Sequence, residues 1–134
     1  MNISSSIYSF FSDHSYLLPI GLITLTLGML LLTLLPADVM GENKLWSYDK
    51  LGHAVLFGSW SLSVGLYYAI HKSKTIKLWI IFASGTIFGI LIEVMQYTLP
   101  VNRQGDPVDV LFDLLGCLIA VGVLKTILPE ENKS

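Results

Sequence analysis

Polar and ionisable side chains are concentrated in one stretch of this otherwise apolar chain, EVMQYTLPVNRQGDPVDVLFDLLG, which covers residues 93–116. Carboxyl groups placed beside a base are suited to acid–base chemistry, and an arginine is suited to holding an anionic group by charge-assisted hydrogen bonds. A charge inside a segment that crosses a membrane costs at least about 2.5–3.5 kcal/mol on insertion scales, so it needs a partner, water or a function. The side chains concerned are Glu93, Gln96, Arg103, Asp109 and Asp113.

Two further polar residues, Lys50 and His53, lie at the start of an earlier apolar block. With Phe57 and Trp60 they fall at offsets 0, 3, 7 and 10, which keeps all four on one stripe of a helix that turns about 100° per residue. Histidine is the side chain best suited to proton transfer near neutral pH, and lysine adds a positive charge. We therefore include Lys50 and His53 in the candidate site.

The composition is that of a membrane protein. Of the 134 residues, 53% are hydrophobic and 13% are charged, whereas an average soluble domain has about 25% charged residues. The mean hydropathy of +0.66 agrees. A formal net charge of -2 and the lack of a long basic run exclude nucleic acid as a partner.

Four apolar blocks predict four transmembrane helices, because a helix needs about 20 residues to cross roughly 30 Å of hydrocarbon. The predicted fold is an all-α membrane protein with four transmembrane helices in an up-down bundle and both termini on the same side. A cytoplasmic or interfacial segment, 1–15, precedes the transmembrane domain, 16–128, and a polar tail, 129–134, follows it. The predicted spans are residues 16–36, 51–71, 78–99 and 107–128.

The distribution of basic residues predicts the orientation in the cell membrane. The side that holds the second loop and the termini carries five lysines, and the other side carries two lysines and one arginine. The positive-inside rule therefore places both termini in the cytoplasm and the loops 37–50 and 100–106 outside. The start of the second span, the end of the third and the start of the fourth then meet at the outer face.

Local signals predict how the polar side chains are oriented. Asp106 is the expected N-cap of the fourth helix, with Pro107 at its first position. Gly85 and Gly89 form a GxxxG pair on the same stripe as Glu93, so this stripe should pack against protein. The same glycine face is a candidate contact for a homo-oligomer.

Seven residues are thus predicted to converge below the outer surface. His53, Glu93 and Asp109 are the candidate catalytic residues, because an imidazole beside carboxyl groups can do acid–base work in a site of lowered dielectric. The candidate substrate-binding residues are Lys50, Gln96, Arg103 and Asp113.

Two other interpretations of this cluster stay open. In the first it is a structural network, in which Lys50 and Arg103 neutralise acids and the remaining polar groups complete the hydrogen bonds. In the second the histidine and the acids of the cluster hold a metal ion. The chain has no HExxH motif, no closely spaced histidine pair and no cysteine cluster, so we predict no metal and no cofactor.

Four motifs occur in order along the chain: DKLGHAVLFG at 49–58, the ExxQ of Glu93 and Gln96, LPVNRQGDPVD at 99–109, and DVLFDLLG at 109–116. Through these motifs the chain resembles the VanZ-like family of small membrane proteins, which is named for a protein linked to resistance to the glycopeptide teicoplanin. The resemblance covers residues of about 35–125. The resemblance implies a membrane protein with several spans. Family members commonly carry an asparagine where this chain has Asp113. The shared polar residues are Lys50, His53, Glu93, Gln96, Arg103 and Asp109.

The leading hypothesis is that the site binds or processes an anionic amphiphile at the outer leaflet, a membrane lipid or a lipid-linked cell-envelope precursor. Lys50 and Arg103 would hold its head group. The family resemblance implies that the protein also affects teicoplanin susceptibility. The alternative is a non-enzymatic structural or assembly protein whose polar cluster only fixes helix packing. A proton or ion pathway is disfavoured, because the inner halves of the spans lack ionisable residues.

Overall fold

The computed structural model of the protein describes residues 3–34, 49–72, 76–99 and 106–129. These residues form five helices and no strand, which confirms the all-α prediction. The segment 1–15, for which no helix was predicted, contains the first of them. Arg103 and most of the two predicted outer loops lie outside the described residues. The helices are α1 (Ile3–Asp13), α2 (Leu17–Leu34), α3 (Asp49–Lys72), α4 (Leu78–Thr98) and α5 (Pro107–Ile127).

Two helices are long and apolar enough to cross a membrane, α4 and α5. The helix pair Ser5–Asp13 and Leu17–Leu32, which bends by 92°, adds a third if the pair is a single span. Serines and histidines lower the hydropathy of α3, although its 24 residues are a sufficient length. The described residues therefore contain two or three candidate spans, and a bundle of four spans remains a prediction.

The start of α5 follows from its capping residues. The side chain of Asp106 accepts the backbone N–H of Val108 at 2.8 Å, and Pro107 occupies the first helical position. The predicted N-cap is confirmed. A carboxylate at this position also lies at the positive end of the helix dipole, so it stabilises the helix start by charge as well as by the hydrogen bond.

Glycines bring α3 and α5 into close contact. A Cβ added to Gly58 would lie 3.1 Å from the carbonyl oxygen of Gly116, and a Cβ on Gly116 would collide with the carbonyl oxygen of Ala54. Toward the other end of the same pair, Gly65 faces Leu124. Because the residue numbers rise together in these contacts, α3 and α5 run in the same direction.

The helix α4 runs opposite to α5 and meets it through a glycine stripe. Gly85 faces the side chains of Ser61 and Cys117, and Gly89 faces Asp113. Both glycines are buried, so the prediction that this stripe packs against protein is confirmed. No contact in a single chain tests the predicted homo-oligomer, which remains a prediction.

The helix α2 is joined to α3 by a hydrogen bond between side chains. Trp60 donates its indole N–H to the hydroxyl of Thr26 at 3.0 Å, and that hydroxyl donates to the carbonyl of Leu22 at 2.8 Å. The Trp60 ring also lies against Phe88 of α4, with 5.0 Å between ring centroids. One side chain therefore connects three helices while its N–H is satisfied.

Two apolar clusters fill the rest of the bundle. One surrounds Leu66 and Leu124 near the ends of α3 and α5, where Tyr8 and Phe11 of α1 pack against it. The other contains Met29, Phe57, Ile92 and Cys117. The opposite end of the bundle, where α3 and α5 begin and α4 ends, holds the polar side chains.

Gly116→Ala should lower the free energy of unfolding by about 1–3 kcal/mol, because the new methyl group has no room against the backbone of α3. Gly122→Ala on the same helix is the matched control, since a Cβ there meets nothing within 4 Å. The control should be neutral or should gain up to roughly 1 kcal/mol in helix propensity. Thermal unfolding of the two variants in detergent measures the difference, and equal effects would contradict the close crossing.

Candidate functional site

The polar cluster lies where the first turns of α3 and α5 meet the last turns of α4. Among the described residues it contains one lysine, one histidine, one glutamine and four carboxyl groups. Four of its members are buried, among them Asp113, which has no exposed surface. The members are Lys50, His53, Glu93, Gln96, Asp106, Asp109 and Asp113.

Lys50 makes the outermost contacts of the cluster. Its Nζ donates to Oδ2 of Asp106 at 3.0 Å and to Oδ1 of Asp109 at 3.2 Å. The hydrogen bonds to Asp106 and Asp109 raise the pKa of Lys50. The pKa of Asp106 is lowered, mainly by the hydrogen bond from the backbone N–H of Val108 and next by the hydrogen bond from Lys50. Both shifts favour the charged forms, so Lys50 and Asp106 form an ion pair at neutral pH. Because both side chains are nearly half exposed, the pair orients the helix starts more than it stabilises them.

His53 lies one turn deeper and faces two aspartates of α5. Its Nδ1 is 2.9 Å from Oδ1 of Asp113, a hydrogen-bonding distance, and its Nε2 is 3.8 Å from Oδ2 of Asp109. The ring is parallel to that of Phe57 within 7°, with 6.2 Å between centroids. An imidazole held in this way between two carboxyl groups is arranged to accept or donate a proton.

Glu93 joins the end of α4 to the start of α5. Its Oε2 accepts the backbone N–H of Asp106 at 2.9 Å. Its Oε1 and the Oδ2 of Asp113 are buried and have no hydrogen-bond partner among the described residues. A buried polar atom without a partner costs about 1–3 kcal/mol, and more if it is charged. These two oxygens are therefore the atoms at which the cluster can accept a ligand.

An open groove of about 290 Å³ lies between α4 and α5, with Glu93 in its wall. Tyr97 in the same wall is 81% exposed, so the groove opens on the outer surface of the bundle. Its helices, α4 and α5, are the two candidate spans by length and composition. The apolar lining residues are Ile90, Val94, Tyr97, Pro107 and Val110.

Three members of the cluster lie close enough to share a metal ion. A ring nitrogen of His53 and one carboxylate oxygen each from Glu93 and Asp113 all lie within 4.8 Å of one another. The three residues come from α3, α4 and α5 respectively. Imidazole and carboxylate are both common ligands of divalent transition metals.

The structure brings together most of the residues predicted for the site. The candidate catalytic residues His53, Glu93 and Asp109 lie in one cluster. Lys50 contacts Asp109 directly and Glu93 through Asp106, and Asp113 contacts His53. Gln96 is buried on the same face of α4 as Glu93. Arg103 lies outside the described residues, so its predicted contact with a head group is untested. The catalytic and binding roles remain predictions.

Two features of the site escaped the sequence analysis. Asp106 was assigned only as a helix cap, yet its side chain also binds Lys50 and its backbone N–H binds Glu93. A capping signal does not show which other groups lie nearby. A polar pocket opening toward lipid was expected, but the apolar lining of the groove was missed, because Ile90, Val94 and Val110 have the composition of any lipid-facing position.

The family model described as VanZ/LLP1 matches residues 7–128 of this chain. The match covers α1 from Ile7 onward and the whole of α2 to α5. Comparison with curated proteins and with solved structures gave no match.

Asp113→Ala should lower the free energy of unfolding by about 1–3 kcal/mol, because it removes the acceptor that lies beside Nδ1 of His53. Asp113→Asn keeps a carbonyl oxygen in that position and should lose less. Thermal unfolding in detergent compares the two. If the alanine and asparagine variants lost the same stability, the hydrogen bond between α3 and α5 would not be the cause.

Proposed function

The chain belongs to the VanZ/LLP1 family, and on that premise we propose that it binds an amphiphile in the groove between α4 and α5. The proposed ligand is a membrane lipid or a lipid-linked cell-envelope precursor. Its hydrocarbon chain occupies the groove, and its head group reaches the polar cluster. The observation that carries this proposal is the apolar groove that has Glu93 in its wall.

The groove suits a hydrocarbon chain because its lining is apolar apart from Glu93. An amphiphile could enter it sideways from the lipid, without crossing the bundle. Burial of each methylene group contributes about 0.8 kcal/mol. Contacts with a short length of hydrocarbon chain are therefore enough to localise a lipid that is already concentrated in the membrane.

The cluster suits a head group that presents both an anion and hydrogen-bond donors. Lys50 at the rim supplies positive charge for a phosphate, and Arg103, which lies outside the described residues, is the second cation proposed from the sequence. Deeper in the cluster, the free oxygens of Glu93 and Asp113 accept hydrogen bonds, which suits sugar or glycerol hydroxyl groups. Four described carboxyl groups would repel an anion there, so the phosphate belongs at the rim.

The same arrangement supports chemical processing of the bound ligand. His53 and Asp109 are the proposed acid–base pair, with Glu93 beside the groove. If a ligand hydroxyl bound to the free oxygen of Glu93, His53 would lie within a few ångströms of it. General acid–base catalysis needs this kind of proximity.

We place the cluster at the outer leaflet, with α2 to α5 as four spans and the termini in the cytoplasm. The distribution of lysines supports this orientation. An outward site is accessible to cell-envelope precursors and to glycopeptides. A change in teicoplanin susceptibility is therefore the phenotype that we propose to examine first.

Val110→Trp should weaken lipid binding about tenfold, because an indole in the groove would displace roughly two methylene groups of the ligand at about 0.8 kcal/mol each. Phosphatidylglycerol and a polyprenyl phosphate are suitable probes. Their binding to the purified full-length protein in detergent can be titrated by native mass spectrometry.

Leu111→Trp is the matched control, because Leu111 is the next residue of α5, is 61% exposed and does not line the groove. It should bind the probes as the unsubstituted protein does. The proposal is wrong if neither probe binds, or if the two tryptophan variants behave alike.

A structural or assembly role is the second candidate, and specific contacts favour it. The Lys50 ion pair and the His53 to Asp113 hydrogen bond both join α3 to α5. Glu93 also holds α4 to the start of α5. In that case the cluster fixes helix register and binds no ligand. One oxygen each of Glu93 and Asp113 has no partner among the described residues, and a purely structural network would be expected to satisfy them.

A further inference from the structure

The strongest unassigned feature of the molecule is the convergence of three side chains from three helices. A ring nitrogen of His53 and carboxylate oxygens of Glu93 and Asp113 all lie within 4.8 Å of one another. In a tetrahedral site with bonds of about 2.0–2.2 Å, ligand atoms are about 3.3–3.6 Å apart. Side-chain rotations that move each atom by about 1 Å would bring them to that spacing.

Independent support comes from the hydrogen bonds that these carboxyl groups do not make. Glu93 is 8% exposed and Asp113 is fully buried, yet each has one buried oxygen without a partner among the described residues. Because Gly89 has no Cβ, the Asp113 carboxylate packs directly against α4; a Cβ there would lie 2.7 Å from its Oδ2. The position of this Asp113 oxygen thus follows from the helix packing.

The charge of the cluster also favours a cation. The described side chains include four carboxyl groups and only one lysine, and that lysine is bound to Asp106 and Asp109 at the rim. No described lysine or arginine lies beside Glu93 or Asp113. A bound divalent ion would offset the charge of these two buried groups.

We propose that His53, Glu93 and Asp113 bind a divalent transition-metal ion, with Zn²⁺ as the best match. One nitrogen and two carboxylate ligands leave a fourth position for water or substrate, as in catalytic zinc sites. The imidazole favours Zn²⁺ or Mn²⁺ over Mg²⁺ and Ca²⁺, which prefer oxygen ligands. Asp109, 3.8 Å from Nε2 of His53, is placed to orient the ring.

The metal site does not depend on the proposed amphiphile. It would exist in a protein that binds no lipid, and the lipid groove could function without it. If both are present, the ion would lie beside the groove and could bind the phosphate or hydroxyl groups of a head group. The sequence analysis left such a site open but found no motif for it, because its ligands are 40 and 20 residues apart and share no helix.

The test uses the full-length protein in detergent, stripped with a chelator and then titrated with Zn²⁺ by calorimetry. We expect about one ion per chain and a melting temperature that rises with Zn²⁺ but not with Mg²⁺. Glu93→Gln and Asp113→Asn should each weaken binding at least about 100-fold, since the loss of an outer-shell partner alone costs about 10- to 100-fold.

Two variants serve as controls and should bind Zn²⁺ as the unsubstituted protein does. His71→Asn removes a histidine at the far end of α3, outside the ligand set. Val110→Trp blocks the groove and separates failure of lipid binding from failure of metal binding. The proposal is overturned if the unsubstituted protein binds no Zn²⁺ and its melting temperature does not change. It is also overturned if folded Glu93→Gln and Asp113→Asn bind Zn²⁺ normally.

Discussion

A fully buried carboxyl group in the apolar helix α5 is the constraint on which the rest of the site depends. Asp113 has no exposed surface, so its charge or its hydrogen bonds must be met from within the bundle. His53 of α3 meets one oxygen, and the other packs against Gly89 of α4, where a side chain would collide with it. The close crossing at Gly116 brings α3 near enough for the imidazole to reach. The close contact between α3 and α5 therefore determines both the packing of the helices and the positions of the polar groups.

The structure joins an acid-rich cluster to a surface groove, and this combination argues for a binding site. The end of the bundle that holds the C-terminal ends of α3 and α5 is closed by apolar side chains and by α1. The polar end differs because of Glu93. One of its oxygens accepts a hydrogen bond from α5, and the other has no partner among the described residues. The same side chain also lines the groove. A side chain with these three properties can connect a ligand in the lipid to the buried polar groups.

The sequence predicted most of the helices and of the cluster from residue spacing. Asp106 and Pro107 marked the start of α5, and the period of α4 placed Glu93 on the glycine face. Spacing along one helix does not reveal contacts between helices, so neither the apolar lining of the groove nor the oxygens without a described partner could be predicted. Helix α1 was missed because a polar N-terminal segment gives no apolar block, and α3 is not among the two or three candidate spans because serines and histidines lower its hydropathy.

The most direct test of the account is to measure the folding and the phenotype of Glu93→Gln together, in a host that lacks its own copy of the gene. Glutamine keeps an oxygen for the N–H of Asp106 but removes the carboxylate. If the cluster is a functional site, the variant will accumulate with a melting temperature close to that of the unsubstituted protein. It will also lose the effect on glycopeptide or cell-envelope-stress sensitivity. If the variant fails to accumulate, or if it folds and retains the full phenotype, the cluster is not the functional site that we propose.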